Sequence, residues 1–404
     1  MRTRLFPTVL AAAAALACRA EDAPSLRVDQ ALANGRFTLE ARPRYNRIDE
    51  SNHPLRAEGV TMRTAAGWVS GAWRGLRLTA EILNASHLGP QHFNDDAAQF
   101  ATSPYPLLPD PKYTGANRVH LDYDGETVRV RAGRQLVRLF NQRWVSDNDF
   151  RQIPQLFEGV AATWTPLAAT ELGASRFWRV RTTSGVTSPL ALTLVQAAWN
   201  PAEGHSLGAY GVFHDQAQNG AFTGFANNSY RVVGLRAEGA FALPHALEAL
   251  YVAEYAQQRP YAGGDARIDA NYRRLGAGLA CAYGTLRYDE EVKGSNNGRY
   301  GVQMPLTDFY AFNGWTLNFF NTPAVGLRDR WLSARATLRP VTLYAEAHRF
   351  RADFGGRDLG RELDAGLTVS ARANLVARLQ HARYDPVEGG STIRKTWLTI
   401  TYTY

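Results

Sequence analysis

The sequence predicts an all-β protein that closes into a transmembrane antiparallel β-barrel of about 18 strands. Three observations predict this class: apolar residues recur at every second position along most of the chain, short and long connections alternate, and the chain ends inside an alternating segment, RKTWLTITYTY. Period two is the pattern of a strand with one polar face. Helical stripes of comparable length are absent, so strands carry the architecture.

The first 20 residues have the layout of a secretory signal peptide. Arg2 and Arg4 precede an apolar stretch over 5–17, and the small residue Ala20 follows. The stretch is too short to remain in a bilayer as a spanning helix. We expect a signal peptide over 1–20 and a single outer-membrane barrel domain over 21–404. A lipoprotein signal is the alternative, since ALAC (15–18) loosely resembles a lipobox.

Composition sets limits on partners and cross-links. The chain carries a formal net charge of +8, and of its 45 basic residues only Lys112, Lys293 and Lys395 are lysines. Arginine suits bidentate recognition of carboxylate or phosphate, although a GC-rich genome also explains an excess of it. After the leader the only cysteine is Cys281, so no intrachain disulfide is possible. We expect no nucleic-acid partner.

Eighteen alternating segments are predicted as strands. In RFTLEARPRYNR the residues Phe37, Leu39 and Ala41 share one face, and Glu40 and Arg42 share the other. The predicted strands are 36–47, 58–69, 72–84, 117–124, 126–136, 155–165, 168–181, 190–199, 205–214, 229–242, 245–257, 270–283, 284–292, 329–339, 340–352, 361–371, 372–384 and 392–404.

The connections between these segments alternate in length. Those at 48–57, 85–116 and 137–154 are long, whereas Ser70-Gly71 and Asp124-Gly125 are short. Outer-membrane barrels have short periplasmic turns and long external loops, and a soluble sandwich has no reason to sort its loops in this way. The connection 293–328 is long enough to fold into the pore. We therefore expect the outer membrane of a Gram-negative bacterium, with its lipids as partners.

The last strand is predicted to pair with the first. In hydrocarbon every backbone polar group needs an internal partner, and a sheet achieves this only by closing on itself. Leu398, Ile400, Tyr402 and Tyr404 should face lipid, with the last ring at the interface. This end also resembles the C-terminal signal that bacterial barrel-assembly machinery recognises.

Charged residues should face the lumen. An arginine on the lipid side near mid-membrane costs roughly 2–4 kcal/mol, so the charged face of each strand looks inward, and a barrel of this size commonly holds an aqueous channel. The predicted pore-lining residues from alternation are Arg42, Arg44, Arg77, Arg118, Arg129, Arg131, Glu362 and Asp364. Two interpretations stay open: the arginines are paired with acids as wall structure, or they form a net anion-selective track.

Tryptophans near the predicted strand ends fit interfacial girdles. They are Trp68, Trp73, Trp164, Trp178, Trp199 and Trp331. Some could instead serve as sugar-stacking platforms in the channel. Trp397 falls on the lumen side of its strand.

Two stretches resemble the alginate export family of outer-membrane proteins. They are NRVHLDYDGETVRVRAGRQLVRLFNQRWVSDNDFRQIPQLFEGV (117–160) and MPLTDFYAFNGWTLNFFNTPAVGLRDRW (304–331). The resemblance implies an eighteen-stranded barrel with an arginine-rich constriction that passes an acidic polysaccharide. It adds three pore residues: Arg134 in GRQ, Arg143 in NQRW and Arg151 in DFRQ. The sequence departs from the family pattern at 307–310 and 316–317.

No catalytic or metal motif is present. His87 and His92 lie near two aspartates in HLGPQHFNDD without zinc-site spacing, and DND (147–149) lacks the glycine and glutamate of a calcium loop. The chain has no G-x-S-x-G stretch, and its histidines are scattered. We expect no cofactor, no metal and no enzymatic activity.

These observations predict a passive porin-like channel for small or oligomeric anionic or sugar-like solutes. Two alternatives remain: a dedicated exporter of an acidic polysaccharide such as alginate, and a structural or adhesive barrel with a plugged lumen.

Overall fold

The alternating segments form eighteen strands of one sheet. The computed structural model describes residues 27–99, 102–215, 223–387 and 389–404, so the predicted signal peptide lies outside the described residues. The strands are β1 (Arg36–Glu50), β2 (Ala57–Val69), β3 (Leu76–His92), β4 (Tyr113–Asp124), β5 (Val128–Gln135), β6 (Leu156–Leu167), β7 (Thr170–Arg181), β8 (Thr187–Trp199), β9 (His205–Asp215), β10 (Tyr230–Leu243), β11 (Leu247–Pro260), β12 (Ala270–Cys281), β13 (Gly284–Lys293), β14 (Leu327–Leu338), β15 (Val341–Arg351), β16 (Asp358–Arg372), β17 (Leu375–Asp385) and β18 (Ile393–Thr403).

The sheet closes on itself. Each strand pairs antiparallel with its neighbours in sequence, and β1 pairs with both β2 and β18. The closing register places Tyr45 opposite Leu398 and Arg44 opposite Thr399. Every strand edge is therefore satisfied, as a hydrocarbon environment requires, and the predicted pairing of the last strand with the first is confirmed.

Side chains alternate between an apolar exterior and a polar interior. On β1, Phe37 and Leu39 are exposed on the outside, whereas Arg42, Arg44 and Asn46 are buried inside. On β18 the predicted lipid-facing residues Leu398, Ile400, Tyr402 and Tyr404 are all exposed. The charged face looks inward, as the cost of burying arginine in lipid demands.

Predicted and observed strands agree within a few residues except around β3 and β4. The prediction ended β3 at 84, but the strand continues to His92, since 87–92 pair with the loop end of β2. A register shift between Glu58 and Val60 accompanies this extension. β3 also begins at Leu76 instead of 72, because residues 70–75 form the turn.

The helices are short. Helix α1 (Val28–Ala33) lies at the short-turn end, where Gly71 N donates to Ala31 O at 2.9 Å. Three 3₁₀ turns occupy Ala97–Gln99, Pro244–Ala246 and Phe309–Ala311. Within the described ranges, no helix combines the length and apolar character needed to cross a membrane.

Candidate functional site

Two long loops on the same rim of the barrel are rich in buried residues. The β5–β6 loop (136–155) buries Trp144, Val145 and Ile153 almost completely, and the β13–β14 loop (294–326) buries Val302 and Trp315. Both loops touch inward-facing side chains of several strands, so they lie within the lumen. The connection 293–328, which is long enough to enter the pore, does so over 294–326, and the β5–β6 loop joins it.

The two loops bind each other directly. Ser146 N donates to Leu306 O at 2.8 Å, and Asp308 N donates to Gln142 O at 3.1 Å. The Asn148 side chain donates to Thr307 O at 2.7 Å. Buried backbone groups of both loops thereby obtain hydrogen-bond partners. The two loops together form the constriction of the lumen.

Arginines of the first two strands anchor the β5–β6 loop. Arg42 donates to the carbonyls of Asp149 at 2.8 Å and Arg151 at 2.5 Å. Arg44 donates to Phe150 O at 2.6 Å, and Arg63 binds the Asp149 carboxylate at 2.6 Å. Arg42 and Arg44 lie on the lumen face of β1, but the loop covers them, so they hold the constriction in place instead of lining open water.

The same loop is fixed to the far wall by its first half. Trp144 Nε1 donates to Tyr210 OH at 2.6 Å, and Tyr210 OH donates to Glu254 at 2.6 Å. Arg143 is 1% exposed, forms a close ion pair with Glu291 and donates to Asn313 Oδ1 at 2.7 Å. The loop therefore crosses the barrel from β1 to β9–β13.

Two predicted acidic residues of β16, Glu362 and Asp364, bind the β13–β14 loop. Thr316 donates to Glu362 through its backbone N at 2.7 Å and its hydroxyl at 2.6 Å, and Trp315 N donates to Asp364 Oδ2 at 3.2 Å. Glu362 and Asp364 are 2% and 0% exposed. They lie on the lumen face as predicted, but they are covered by the loop instead of lining open water.

All four predicted arginines of β4 and β5 are paired with acids. The pairs are Arg118–Glu81 at 2.5 Å, Arg129–Glu171 at 3.1 Å, Arg131–Asp122 at 2.5 Å and Arg134–Glu158 at 2.5 Å. Side chains of Arg129 and Arg131 remain 55% and 43% exposed, which indicates water in the short-turn half of the lumen. These four arginines therefore have acidic partners, the arrangement that the paired-wall interpretation describes. Arg77 makes no ion pair within the described ranges, and its Nε is buried without a hydrogen bond.

Four lumen cations on one side make no ion pair in the described part of the chain. Arg44 (β1), Arg378 (β17) and Lys395 (β18) belong to adjoining strands, and Arg151 comes from the β5–β6 loop. Arg44 bonds Thr399 Oγ1 at 3.0 Å, and Thr399 lies opposite Arg378 in the sheet. Like charges this close repel each other unless an anion lies between them.

Aromatic rings interleave with these cations. The Arg44 guanidinium lies 4.2 Å from the centre of the Phe150 ring, and that of Arg151 lies 4.9 Å from the Tyr310 ring. Phe150 also packs edge-on against Trp397, with ring centres 5.8 Å apart. We call Arg44, Arg151, Arg378 and Lys395, with Phe150, Tyr310 and Trp397, the basic-aromatic wall.

Sequence reasoning found part of this wall. Arg44, Arg151 and the lumen side of Trp397 were predicted, and Lys395 could have been, because it shares the phase of Trp397. Phe150 and Tyr310 lie in loops, where no periodicity marks them. Trp331, predicted for a girdle, is instead inside: its ring stacks on His348 with centres 5.7 Å apart.

Carboxylates in the loops have shifted pKa values. Burial, together with the nearby Asp147 carboxylate, raises the pKa of Asp308 to about 6. Burial would also raise the pKa of Asp149, but the guanidinium groups of Arg63 and Arg42 lower it to about 2. The contact between the two loops is therefore sensitive to pH.

A closed eighteen-stranded antiparallel barrel with an apolar exterior and a charged, loop-constricted lumen defines an outer-membrane porin fold of the Gram-negative type. Pseudomonas aeruginosa OpdL is similar, with 16% identity, a TM-score of 0.70, and coverage of 92% of this chain and 99% of that one. Acinetobacter baumannii OccAB2 has 14% identity, a TM-score of 0.70 and coverage of 93% and 99%. Pseudomonas aeruginosa OpdK, solved with vanillate, has 14% identity, a TM-score of 0.68 and coverage of 91% and 98%.

No family model matches the sequence, and no curated protein matches it. The likeness to solved structures therefore establishes the fold, an eighteen-stranded barrel similar to those of the Occ and Opd proteins. Function is argued from the chain's own residues.

Proposed function

We propose that the chain is a passive outer-membrane channel for small or oligomeric anionic or sugar-like solutes, with no enzymatic activity. The observation that carries this proposal is the basic-aromatic wall. Arg44, Arg151 and Lys395 are buried and Arg378 is half-buried. None of the four makes an ion pair within the described residues, so the wall attracts the carboxylate or phosphate of a passing solute through its net positive charge. Rings among the cations offer flat faces to an aromatic or pyranose solute.

An acidic wall adjoins this basic one. Asp329, Glu346, Glu362 and Asp364 occupy the lumen side of β14–β16, and the basic-aromatic wall occupies β17, β18 and β1. Charges of opposite sign on adjoining sectors of a narrow lumen create a transverse field. Such a field orients a solute that has an anionic end and holds that end to one side.

The neighbour solved with vanillate supports the size and charge of the solute. Vanillate is a single aromatic ring with a carboxylate, and a barrel of the same fold holds it in OpdK. A cation beside Phe150 or Tyr310 suits the same combination of charge and ring.

Electrical recording tests the proposal. The full-length barrel, folded in detergent and inserted into planar bilayers, should give stable open steps and a reversal potential that reports preference for anions. Lys395→Gln should reduce this preference. Arg394→Gln is the matched control, because Arg394 is the preceding residue on the outer face. A channel without open steps supports the plugged barrel, and a cation preference contradicts the basic-aromatic wall.

An exporter of an acidic polysaccharide such as alginate is the second candidate. The stretches 117–160 and 304–331, which resemble the alginate export family, cover all of the β5–β6 loop and most of the β13–β14 loop. The resemblance is therefore concentrated in the constriction. Acidic oligosaccharides of increasing length should block the single-channel current with rising residence time if a polymer is the solute. Block that stops at the monomer or dimer favours the small-solute channel.

Assembly is part of the same proposal. The final strand β18 carries the alternating pattern of a barrel-assembly signal, with Tyr402 and Tyr404 outward. Tyr402→Ser with Tyr404→Ser should lower the amount of folded barrel in the outer membrane, whereas Thr401→Ser with Thr403→Ser on the lumen face should not.

A further inference from the structure

One histidine and four carboxylates cluster on the lumen face of β14, β15 and β16. His348 Nδ1 lies 3.0 Å from Asp329 Oδ1, and its Nε2 lies 3.3 Å from Glu346 Oε2 and 3.8 Å from Asp364 Oδ2. Glu362 is the fourth carboxylate, opposite His348 in the sheet. The cluster lies outside the basic-aromatic wall, and its carboxylates are those of the acidic wall described above; metal binding by them can be measured without any transport.

The cluster contains four carboxylates and only one group, His348, that can carry a positive charge. Within the described ranges, every ion pair made by Asp329, Glu346 and Asp364 is to His348, and Glu362 makes none. Glu346 is directly opposite Asp364 in the sheet, and like charges in that position destabilise it. The nearby Arg274 is engaged by Asp289 at 3.0 Å.

A buried oxygen within the cluster has no partner. Asp364 is 0% exposed, and its Oδ1 accepts no hydrogen bond, whereas Oδ2 accepts one from Trp315 N. A buried carboxylate oxygen without a partner is costly. Oδ2 is the oxygen that lies 3.8 Å from His348 Nε2, and the unpartnered Oδ1 leaves the same carboxylate able to bind a positively charged ligand.

We propose that Glu346, His348 and Asp364 bind a divalent transition-metal ion such as Zn²⁺ or Mn²⁺. Their ligand atoms lie within 4.8 Å of one another, which suits an ion bound at about 2.0–2.2 Å from each. Asp329 accepts a hydrogen bond from Nδ1–H, and on metal binding Nε2 would exchange its 3.3 Å contact with Glu346 for a bond from its lone pair to the ion. One imidazole and two carboxylates are ligands that such ions accept.

The site also has an entry path and a structural consequence. The Glu346 side chain is 30% exposed, so the cluster opens to lumen water through that residue. Trp315 and Thr316 of the β13–β14 loop bind Asp364 and Glu362. A bound ion fixes these carboxylates and with them the attachment of the loop to β16.

Metal binding to the full-length folded barrel tests the proposal. Protein stripped with a chelator is titrated calorimetrically with Zn²⁺ alone and Mn²⁺ alone, and one ion per chain is expected. His348→Gln and Asp364→Asn should each weaken binding at least tenfold. His120→Gln is the matched control, since His120 is a buried lumen histidine whose neighbour Asp122 is already paired with Arg131; its affinity should equal that of the wild type.

Two results overturn the site. If the wild-type protein binds neither ion, the proposed metal site is wrong. The cluster is then held together by a protonated His348 and by a proton shared between Glu362 and Asp364. Binding that survives both substitutions places the ion elsewhere. Where the buried variants fold poorly, Glu346→Gln at the exposed edge decides: loss of binding and of the Zn²⁺-induced rise in thermal stability supports the site, and unchanged binding contradicts it.

Discussion

Arg44 of β1 stacks on Phe150 of the β5–β6 loop, with its guanidinium carbon 4.2 Å from the ring centre, and donates a hydrogen bond to the carbonyl of the same residue. One wall arginine thus holds the loop by ring and backbone together. Such a double contact restrains the loop in position and orientation, so the constriction depends on it.

Phe150→Ala should widen the constriction. Removal of the ring takes away the contacts with Arg44, Tyr310 and Trp397 and costs roughly 1–2 kcal/mol of stability. Single-channel conductance should rise, and Phe354→Ala in the exposed β15–β16 loop should leave it unchanged. Equal conductance in the two variants would show that Phe150 does not limit the passage.

Arg143→Ala should strongly destabilise the barrel interior. Arg143 and Glu291 are each 1% exposed, so removal of one leaves the other buried without its partner, at a cost of about 3–5 kcal/mol. Arg129→Ala breaks a pair whose arginine is 55% exposed and should cost no more than about 1 kcal/mol. Urea unfolding followed by tryptophan fluorescence measures both, and similar losses would contradict the burial of the Arg143 pair.

The contact between the two loops should loosen as the pH rises from 4 to 7. The pKa of Asp308 is raised to about 6 by burial and by Asp147, with Asp149 nearby and Arg138 bound to Asp147. A raised carboxyl pKa stabilises the folded state below the unfolded value of about 4, and this contribution is lost as the pH passes 6. Hydrogen exchange of 304–312 should therefore accelerate between pH 4 and pH 7 beyond the intrinsic rate.

Asp308→Asn should remove this acceleration. Asp265→Asn is the control, since Asp265 lies in the β11–β12 loop, where its hydrogen bonds with Arg267 lower its pKa to about 2. An exchange profile in Asp308→Asn identical to that of the wild type would assign the pH effect to other groups.

Leu398→Arg should hinder folding into the membrane, and Thr401→Arg should not. Leu398 faces lipid and Thr401 faces the lumen on the same strand, and an arginine on the lipid side costs about 2–4 kcal/mol near the midplane. The heat-modifiable mobility of the folded barrel on gels measures the difference. Equal folding of both variants would refute the assignment of the two faces.

The strands and their faces could be predicted because a membrane barrel imposes period two on every strand. Arg42 and Arg44 were placed inside from alternation alone, and even Trp331 shares the lumen phase of Asp329 on β14. Interfacial preference was the wrong rule for that tryptophan, since its ring pairs with His348 and the guanidinium of Arg274.

The loops could be predicted only in part, because their contacts follow no period. Length indicated that 293–328 could enter the pore, but nothing in 136–155 identified Tyr210 and Glu254 as partners of Trp144 and Asn141. The available signal was composition: Trp144, Val145 and Ile153 are too apolar for a solvated external loop. The cluster around His348 was missed because its members come from three successive strands, so no short motif in the sequence brings them together.

The β5–β6 loop is fastened to β1 and β2 at one end and to β9 and β11 at the other, and these strands lie about half the circumference apart. A barrel without an internal support can flatten under lateral pressure, because small changes of twist between neighbouring strands add up around the sheet. A loop that crosses the lumen and is fixed at both ends resists such a change in diameter. The segment that narrows the passage therefore also keeps the cross-section round. Loss of the contacts at either end of the β5–β6 loop should widen the opening. It should also make the barrel wall more deformable in a compressed bilayer.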